Sequence, residues 1–220
     1  MTSSPQILFE DQHLVVLSKP AGLLSQGESK GDLNLVDELR EYFGRHYVGL
    51  VHRLDRNTSG LMVVAKRSKA AARLTAALQC GDLQRVYQAW LCGHLKQSEN
   101  WHHWLLKNEK ANRTTAFKNQ TPSAKEALLV VTPLRTVRRE GQDYTLAQFT
   151  LETGRSHQIR VQSALEGYPL AGDLKYGTKM DGRVIIARPA LHSAHIEFPH
   201  PMSAEKMTFD LELPEDMRWI

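Results

Sequence analysis

The chain has no apolar run long enough to cross a membrane, and Met1-Thr2-Ser3-Ser4-Pro5 lacks the basic-then-apolar layout of a secretory leader. No membrane partner is expected, and the cytoplasm is the expected location. Cysteine is scarce: Cys80 and Cys92 form no CxxC pair, and a chain of 220 residues is large enough to hold together without a disulfide staple. Both read as reduced and structural. There is no GxxxxGK[ST] loop and no GxGxxG behind a strand, which leaves nucleotide hydrolysis and dinucleotide binding without support. No repeat, low-complexity tract or Gly/Ser linker marks a boundary, and half of such a chain would bury too little surface to be comfortably stable. A single domain over residues 1–220 is expected.

What is present is an ordinary globular balance, 41% hydrophobic and 24% charged residues. The net charge of +4 attracts polyanions only modestly, and its placement says more. Lys66, Arg67, Lys69 and Arg73 crowd one segment; Lys107, Lys110, Arg113 and Lys118 crowd another. Each cluster reads equally well as a solvated face or as a contact to nucleic acid.

Residues 7–9 and 14–17 read as a strand pair turning at Glu10-Asp11-Gln12, with a stop at Lys19-Pro20-Ala21-Gly22. Residues 34–43 read as a helix, with Leu35, Val36, Leu39 and Phe43 on one face and Gly44 as its stop. The continuous apolar run 61–65 suits a buried strand. Ser68 then reads as the N-cap of a helix that turns Ala70, Leu74, Ala77 and Leu78 inward and ends near Gly81. Residues 85–91 form a further strand, placing Tyr87, Ala89 and Leu91 on one face. The polar and basic stretch 100–120, with His102-His103 between Trp101 and Trp104, shows little periodicity and reads as an exposed excursion. Residues 145–153 read as a strand and 156–166 as a helix, on which His157 and Arg160 face the same way. Residues 184–187, 191–198 and 207–213 are strand-like. Strands dominate both ends with helices packed on them, so the class is α+β, with a mixed, mainly antiparallel central sheet flanked by helices.

The segment HRLDRNTSG, residues 52–60, sets Asp55 among Arg53, Arg56 and His52 just ahead of the buried strand. Nearby positive charge keeps such a carboxylate ionised. Three uses are open to it: nucleophile, metal ligand or salt-bridge partner, and composition alone favours the salt bridge. His192, His195 and His200 lack the third helical-spaced ligand and the carboxylate pattern of a metal site and read as hydrogen-bonded structural histidines. HRLD differs from the HRD order of a kinase catalytic loop, and the chain has neither a glycine-rich loop nor DFG. A glycosidase needs a second acid; Asp143 and Asp173 are available, but spacing singles out neither.

Residues 52–60 match in order the pattern HRLDxxTSG of the RluA-type pseudouridine synthases, and the chain resembles that family further along. Gln84-Arg85-Val86-Tyr87-Gln88-Ala89 is similar to the strand that carries the family's essential tyrosine. Gly154-Arg155-Ser156-His157-Gln158-Ile159-Arg160 is similar to its GRxHQIR motif. Lys19-Pro20-Ala21-Gly22, Gly172-Asp173-Leu174-Lys175-Tyr176-Gly177 and Leu191-His192 also fall in family order. The likeness spans residues 7–198. Two departures stand out: Val161-Gln162 follows Arg160 where many relatives carry a histidine, and the segment ahead of His52 already reads as catalytic-domain sheet. The expectation is a catalytic domain without the small N-terminal RNA-binding domain of many relatives.

The resemblance implies the pseudouridine synthase fold and a cofactor-free, metal-free RNA-modifying isomerase. Asp55 would be its catalytic aspartate, Tyr87 the aromatic residue over the uracil, and Arg160 the basic partner of Asp55. Leu191 would pack on the flipped base, Arg53 would lie beside the space it leaves, and His157 would contact substrate. Such an enzyme breaks the N-glycosidic bond of a uridine, turns the uracil and rejoins it through C5. A carboxylate attacks the sugar carbon or takes a sugar proton, and both routes need it ionised and shielded from water. A tyrosine ring stacks on uracil while its hydroxyl serves proton removal; phenylalanine would keep only the stacking. The expected partner is RNA, ribosomal or transfer, not DNA, and the expected state a monomer. The rival is a catalytically silent RNA-binding protein on the same fold, which would need none of Asp55, Tyr87 and Arg160.

Overall fold

Alternating side chains at the start of the chain make a hairpin. Strand β1 (Gln6–Glu10) pairs antiparallel with β2 (Leu14–Lys19), and the Asp11 carboxylate closes the turn by accepting the amides of His13 at 2.7 Å and Leu14 at 2.8 Å. The structure, a computed structural model, describes residues 4–27, 31–44, 47–177 and 186–218. Within these the chain divides into two compact units, Met1–Arg85 with His192–Glu212 and Val86–Leu191 with Leu213–Ile220.

The first unit carries α1 (Leu35–Phe43), β3 (Gly49–Leu50), β4 (Ser59–Ala65) and α2 (Ser68–Cys80). Asn34 caps α1 through the Asp37 amide, Gly44 ends it in the left-handed conformation, and Leu35, Val36 and Leu39 are buried. Helix α2 is entered differently from expectation. Arg67 is its N-cap and makes no side-chain cap bond, while Ser68 is already helical. Ala70, Leu74 and Ala77 bury its inner face against Leu14, Val16, Leu61, Val63, Ile196 and Phe198.

Every residue of β4 is buried, as its continuous apolar run requires. It pairs antiparallel with β2 and β3, and parallel with β10 (Leu191–Pro199) through His192 opposite Ser59 and Ser193 opposite Gly60. Strand β11 (Lys206–Asp210) pairs antiparallel with β10.

The second unit is wholly antiparallel, in the order β5 (Gln84–Cys92), β9 (Gln142–Leu151), β8 (Lys125–Arg139), β6 (Glu99–Asn108), β7 (Arg113–Phe117). Helix α3 (Gln158–Leu165) packs on it through Val161, which joins Leu105 and Ala127 in a small core. The stretch expected as an exposed excursion is therefore the β6–β7 hairpin. Trp101, His103 and Leu105 alternate inward and are buried, while His102 and Leu106 are exposed. Trp101 packs its ring 6.0 Å from Phe149 and is core, not a platform for bases. The strand expected over residues 184–187 lies partly outside the described residues, and Ile186 and Ala187 form a bend. No described helix is long and apolar enough to cross a membrane. Among the described residues, mixed, mainly antiparallel strands with three α-helices give the α+β class.

Candidate active site

Between β3 and β4, the chain through residues 52–58 is held by its own neighbours. The imidazole of His52 is buried and accepts the Val63 amide at Nε2, 3.2 Å away. Burial first, then the charge of Arg85, pushes its pKa down to about 3, so it is neutral and carries its proton on Nδ1. Ser25 Oγ donates to the Leu54 carbonyl at 2.7 Å and accepts the Leu54 amide at 3.1 Å.

Lys19 has no exposed surface, and its ammonium donates to the carbonyls of Leu23 (2.7 Å), Pro20 (2.8 Å) and Arg56 (3.2 Å). An ammonium has three protons to place, and three carbonyls receive them. The Arg56 carbonyl also accepts the Gly22 amide at 2.8 Å, and the Asp55 carbonyl accepts the Thr58 amide at 3.0 Å. The KPAG segment thus holds the backbone at Arg56, the residue after Asp55. Along the HRLD segment His52 and Leu54 point inward, Arg53 is exposed and Asp55 is half-buried.

His192, at the start of β10, places Nδ1 2.9 Å from Ser59 Oγ. The other two histidines considered as ligands lie elsewhere: His195 pairs with Asp210 at 2.7 Å and His200 with Asp11 at 2.9 Å. Among the described residues no three His, Cys, Asp or Glu side chains are grouped to hold a metal ion.

In the second unit Tyr87 is buried on β5, on the same face as Ala89 and Leu91. Leu191 is buried too, and its carbonyl accepts from Arg188, which is itself forked onto Asp216. Arg160 lies on α3, and Asp173 grips it by two bonds, Nε to Oδ2 at 2.7 Å and Nη2 to Oδ1 at 2.9 Å. The family likeness pairs Arg160 with Asp55; the carboxylate found on it within its own unit is Asp173, which the sequence offered only as a spare acid. Burial pushes the Asp173 carboxyl up. The hydrogen bond and charge of Arg160, with the amides of Lys175 and Tyr176, outweigh that and hold it below the usual carboxylate range.

His157 departs from the helix expected for it. It is the N-cap of α3, in the left-handed conformation at φ 56°, so the helix begins at Gln158 and the two side chains do not meet by helical spacing. Tyr176 brings them together instead. Its hydroxyl accepts the Thr114 amide at 2.8 Å and shares a hydrogen bond with His157 Nδ1 at 2.6 Å, and the Arg160 guanidinium sits 5.1 Å from its ring centre.

The glutamines of the motif fix the helix. Gln158 Oε1 accepts from the Arg155 amide and Thr153 hydroxyl, each at 2.9 Å. The Gln162 amide donates to His103 Nδ1 at 2.9 Å and to the carbonyls of Trp101 and Ala127.

The first basic cluster is only partly available to a polyanion. Lys66 is buried, paired with Glu10 and donating to the Asp11 carbonyl at 2.6 Å, and Arg73 donates to the Pro201 carbonyl at 2.5 Å. Arg67 and Lys69 remain exposed.

In the first unit Asp55 stands on a loop held through its backbone at Leu54 and Arg56, and in the second Arg160 is a buried arginine in the two-point grip of Asp173. The pattern of the RNA pseudouridylate synthase family matches residues 13–165. The ribosomal large subunit pseudouridine synthase D of Zymomonas mobilis is 34% identical over 231 residues, an alignment covering 97% of this chain and 70% of that one. An RNA pseudouridine synthase of Bacillus subtilis, YjbO, is 36% identical over 216 residues, covering 96% and 73%. The human protein RNA pseudouridylate synthase domain containing 1 superposes with a TM-score of 0.79 at 25% identity, covering 95% of this chain and 83% of its own. The chain belongs to the RNA pseudouridylate synthase family, of RluA type, and is an RNA pseudouridine synthase.

Proposed function

We propose that this enzyme isomerises selected uridines of structured ribosomal or transfer RNA, with Asp55 as its catalytic nucleophile or base. The observation that carries the reading is the clamping of residues 52–58 by Lys19, Ser25 and His52, which fixes the backbone of an ionisable side chain while leaving that side chain half-buried. In this reading Asp55 attacks C1′ of the target nucleotide or takes a proton from its sugar. N1 of the uracil leaves, the base turns, C5 bonds to C1′ as Asp55 departs from C1′ or returns the sugar proton, and the proton lost from C5 is balanced by the one gained at N1.

Tyr87 stacks on the uracil and serves removal of the C5 proton. Arg160 supplies positive charge that favours an ionised carboxylate, and Asp173 sets its orientation. Leu191 packs on the extruded base, Arg53 occupies the gap left in the RNA, and His157 contacts the substrate backbone. No step requires a cofactor. Relatives named for the large ribosomal subunit support ribosomal RNA as the first substrate to test, and with it a cytoplasmic location. We take the two units as one catalytic domain acting as a monomer.

The test is site-resolved pseudouridine mapping of RNA from cells with and without the gene, complemented by wild type or Asp55→Asn. The wild type restores the missing sites and Asp55→Asn restores none while still binding RNA. Full restoration by Asp55→Asn would remove Asp55 from the mechanism, and an unchanged map on deletion would favour a protein that binds RNA only.

A further inference from the structure

The ring of Tyr176 holds a second guanidinium, that of Arg113, with its carbon 5.1 Å from the ring centre. The two arginines are differently placed. Arg160 is buried and gripped by Asp173. Arg113 is exposed, and among the described residues no carboxylate, carbonyl or hydroxyl accepts from its side chain.

Its backbone is nonetheless fixed. Arg113 closes the β6–β7 hairpin opposite Asn108; its neighbour Thr114 is buried, donates its amide to the Tyr176 hydroxyl and its own hydroxyl to the Ser156 carbonyl at 3.1 Å; and Lys175 donates to the carbonyl of Asn112. An exposed arginine normally samples many rotamers. One lying over an aromatic ring has already given up much of that freedom and keeps its planar set of donors turned toward solvent. Its charge is left uncompensated, and the exposed Lys110 adds another on the same hairpin. Planar paired donors with unbalanced positive charge suit the oxygens of a phosphodiester.

We propose that Arg113 is a phosphate-binding residue for the RNA backbone, preset by the ring of Tyr176. The ligand class rests on the RNA isomerase reading above. A phosphodiester bound there is joined to Arg160 through one aromatic ring, which gives the hairpin a defined part in seating the substrate.

Binding of a labelled oligouridylate across a salt series tests this directly. Arg113→Gln lowers the slope of log affinity against log salt by about 0.7, the share of one phosphate contact to a single strand. With RNA from cells lacking the gene as substrate, it raises KM about tenfold and leaves kcat near wild type. Arg113→Lys keeps the slope. Tyr176→Phe keeps the ring and loses only the hydroxyl's hold on Thr114 and His157, so it binds more tightly than Tyr176→Leu, which removes the ring as well and weakens binding further at an unchanged slope.

A wild-type slope and KM in Arg113→Gln overturn the proposal, and equal losses in Tyr176→Phe and Tyr176→Leu overturn the part given to the ring. Because the oligouridylate measurement needs no turnover, an active Asp55→Asn enzyme would displace the catalytic reading and leave the salt-slope result standing.

Discussion

Arg160 illustrates what one residue requires of its surroundings. Its side chain is 9% exposed and that of Asp173 1%, so neither charge is stable there without the other. Asp173→Asn keeps the shape and removes the charge. It is expected to cost about 3 kcal/mol of stability by urea unfolding, the usual penalty for orphaning a buried partner, with activity falling further than the folded fraction does. Asp173→Asn as stable as wild type would mean that the grip on Arg160 is incidental. The catalytic candidates were legible in sequence because motif order supplies them. Their supports were not: nothing in the spacing announces that Asp173 and the ring of Tyr176 meet at Arg160, or that Thr114 bonds to the Tyr176 hydroxyl across 62 positions of chain.

His52 sets a pH limit from a single buried ring. Its pKa falls from 6.5 to about 3 on folding, because burial and then Arg85 disfavour the charged form. The unfolded chain therefore takes up the proton first. Stability is complete above about pH 6.5 and declines as pH drops toward the folded value, by about 2 kcal/mol at about pH 5. Urea unfolding at about pH 7.5 and about pH 5 measures the loss, and His52→Asn should flatten the pH dependence. An equal pH dependence in that variant would place the sensitivity elsewhere.

At the scale of elements, the close parallel contact of β4 with β10 depends on Gly60. A Cβ there would lie 2.3 Å from the Ser193 carbonyl oxygen and 2.6 Å from its nitrogen, at a φ of +117°. Gly60→Ala must part the two strands and is expected to cost about 3 kcal/mol or more, read as a fall in melting temperature. Gly81→Ala has a similarly positive φ of +88° but nothing within 4 Å, and should cost only about 1 kcal/mol. Similar losses at both would show that backbone conformation, not the strand contact, governs.

Elements with a strong local signal read correctly from sequence: α1 has its cap and its apolar stripe, and β4 its unbroken apolar run. The β6–β7 hairpin did not, because its inward alternation runs through a histidine. His103 belongs inside only because Gln162 and Glu166 satisfy its two nitrogens from α3 and the residue that follows it. The start of α3 was misplaced because a left-handed His157 interrupts what looks like continuous helix.

For the molecule as a whole, the clamp on residues 52–58 has a bearing on how RNA is handled. Lys19, Ser25 and His52 direct their hydrogen bonds to the backbone amides and carbonyls of this loop and of β4, so its conformational entropy is surrendered when the chain folds. A loop that ordered itself only on meeting substrate would draw on the free energy of association each time. In the proposed mechanism that free energy is left for the costly event that remains, lifting the target uridine out of its stack.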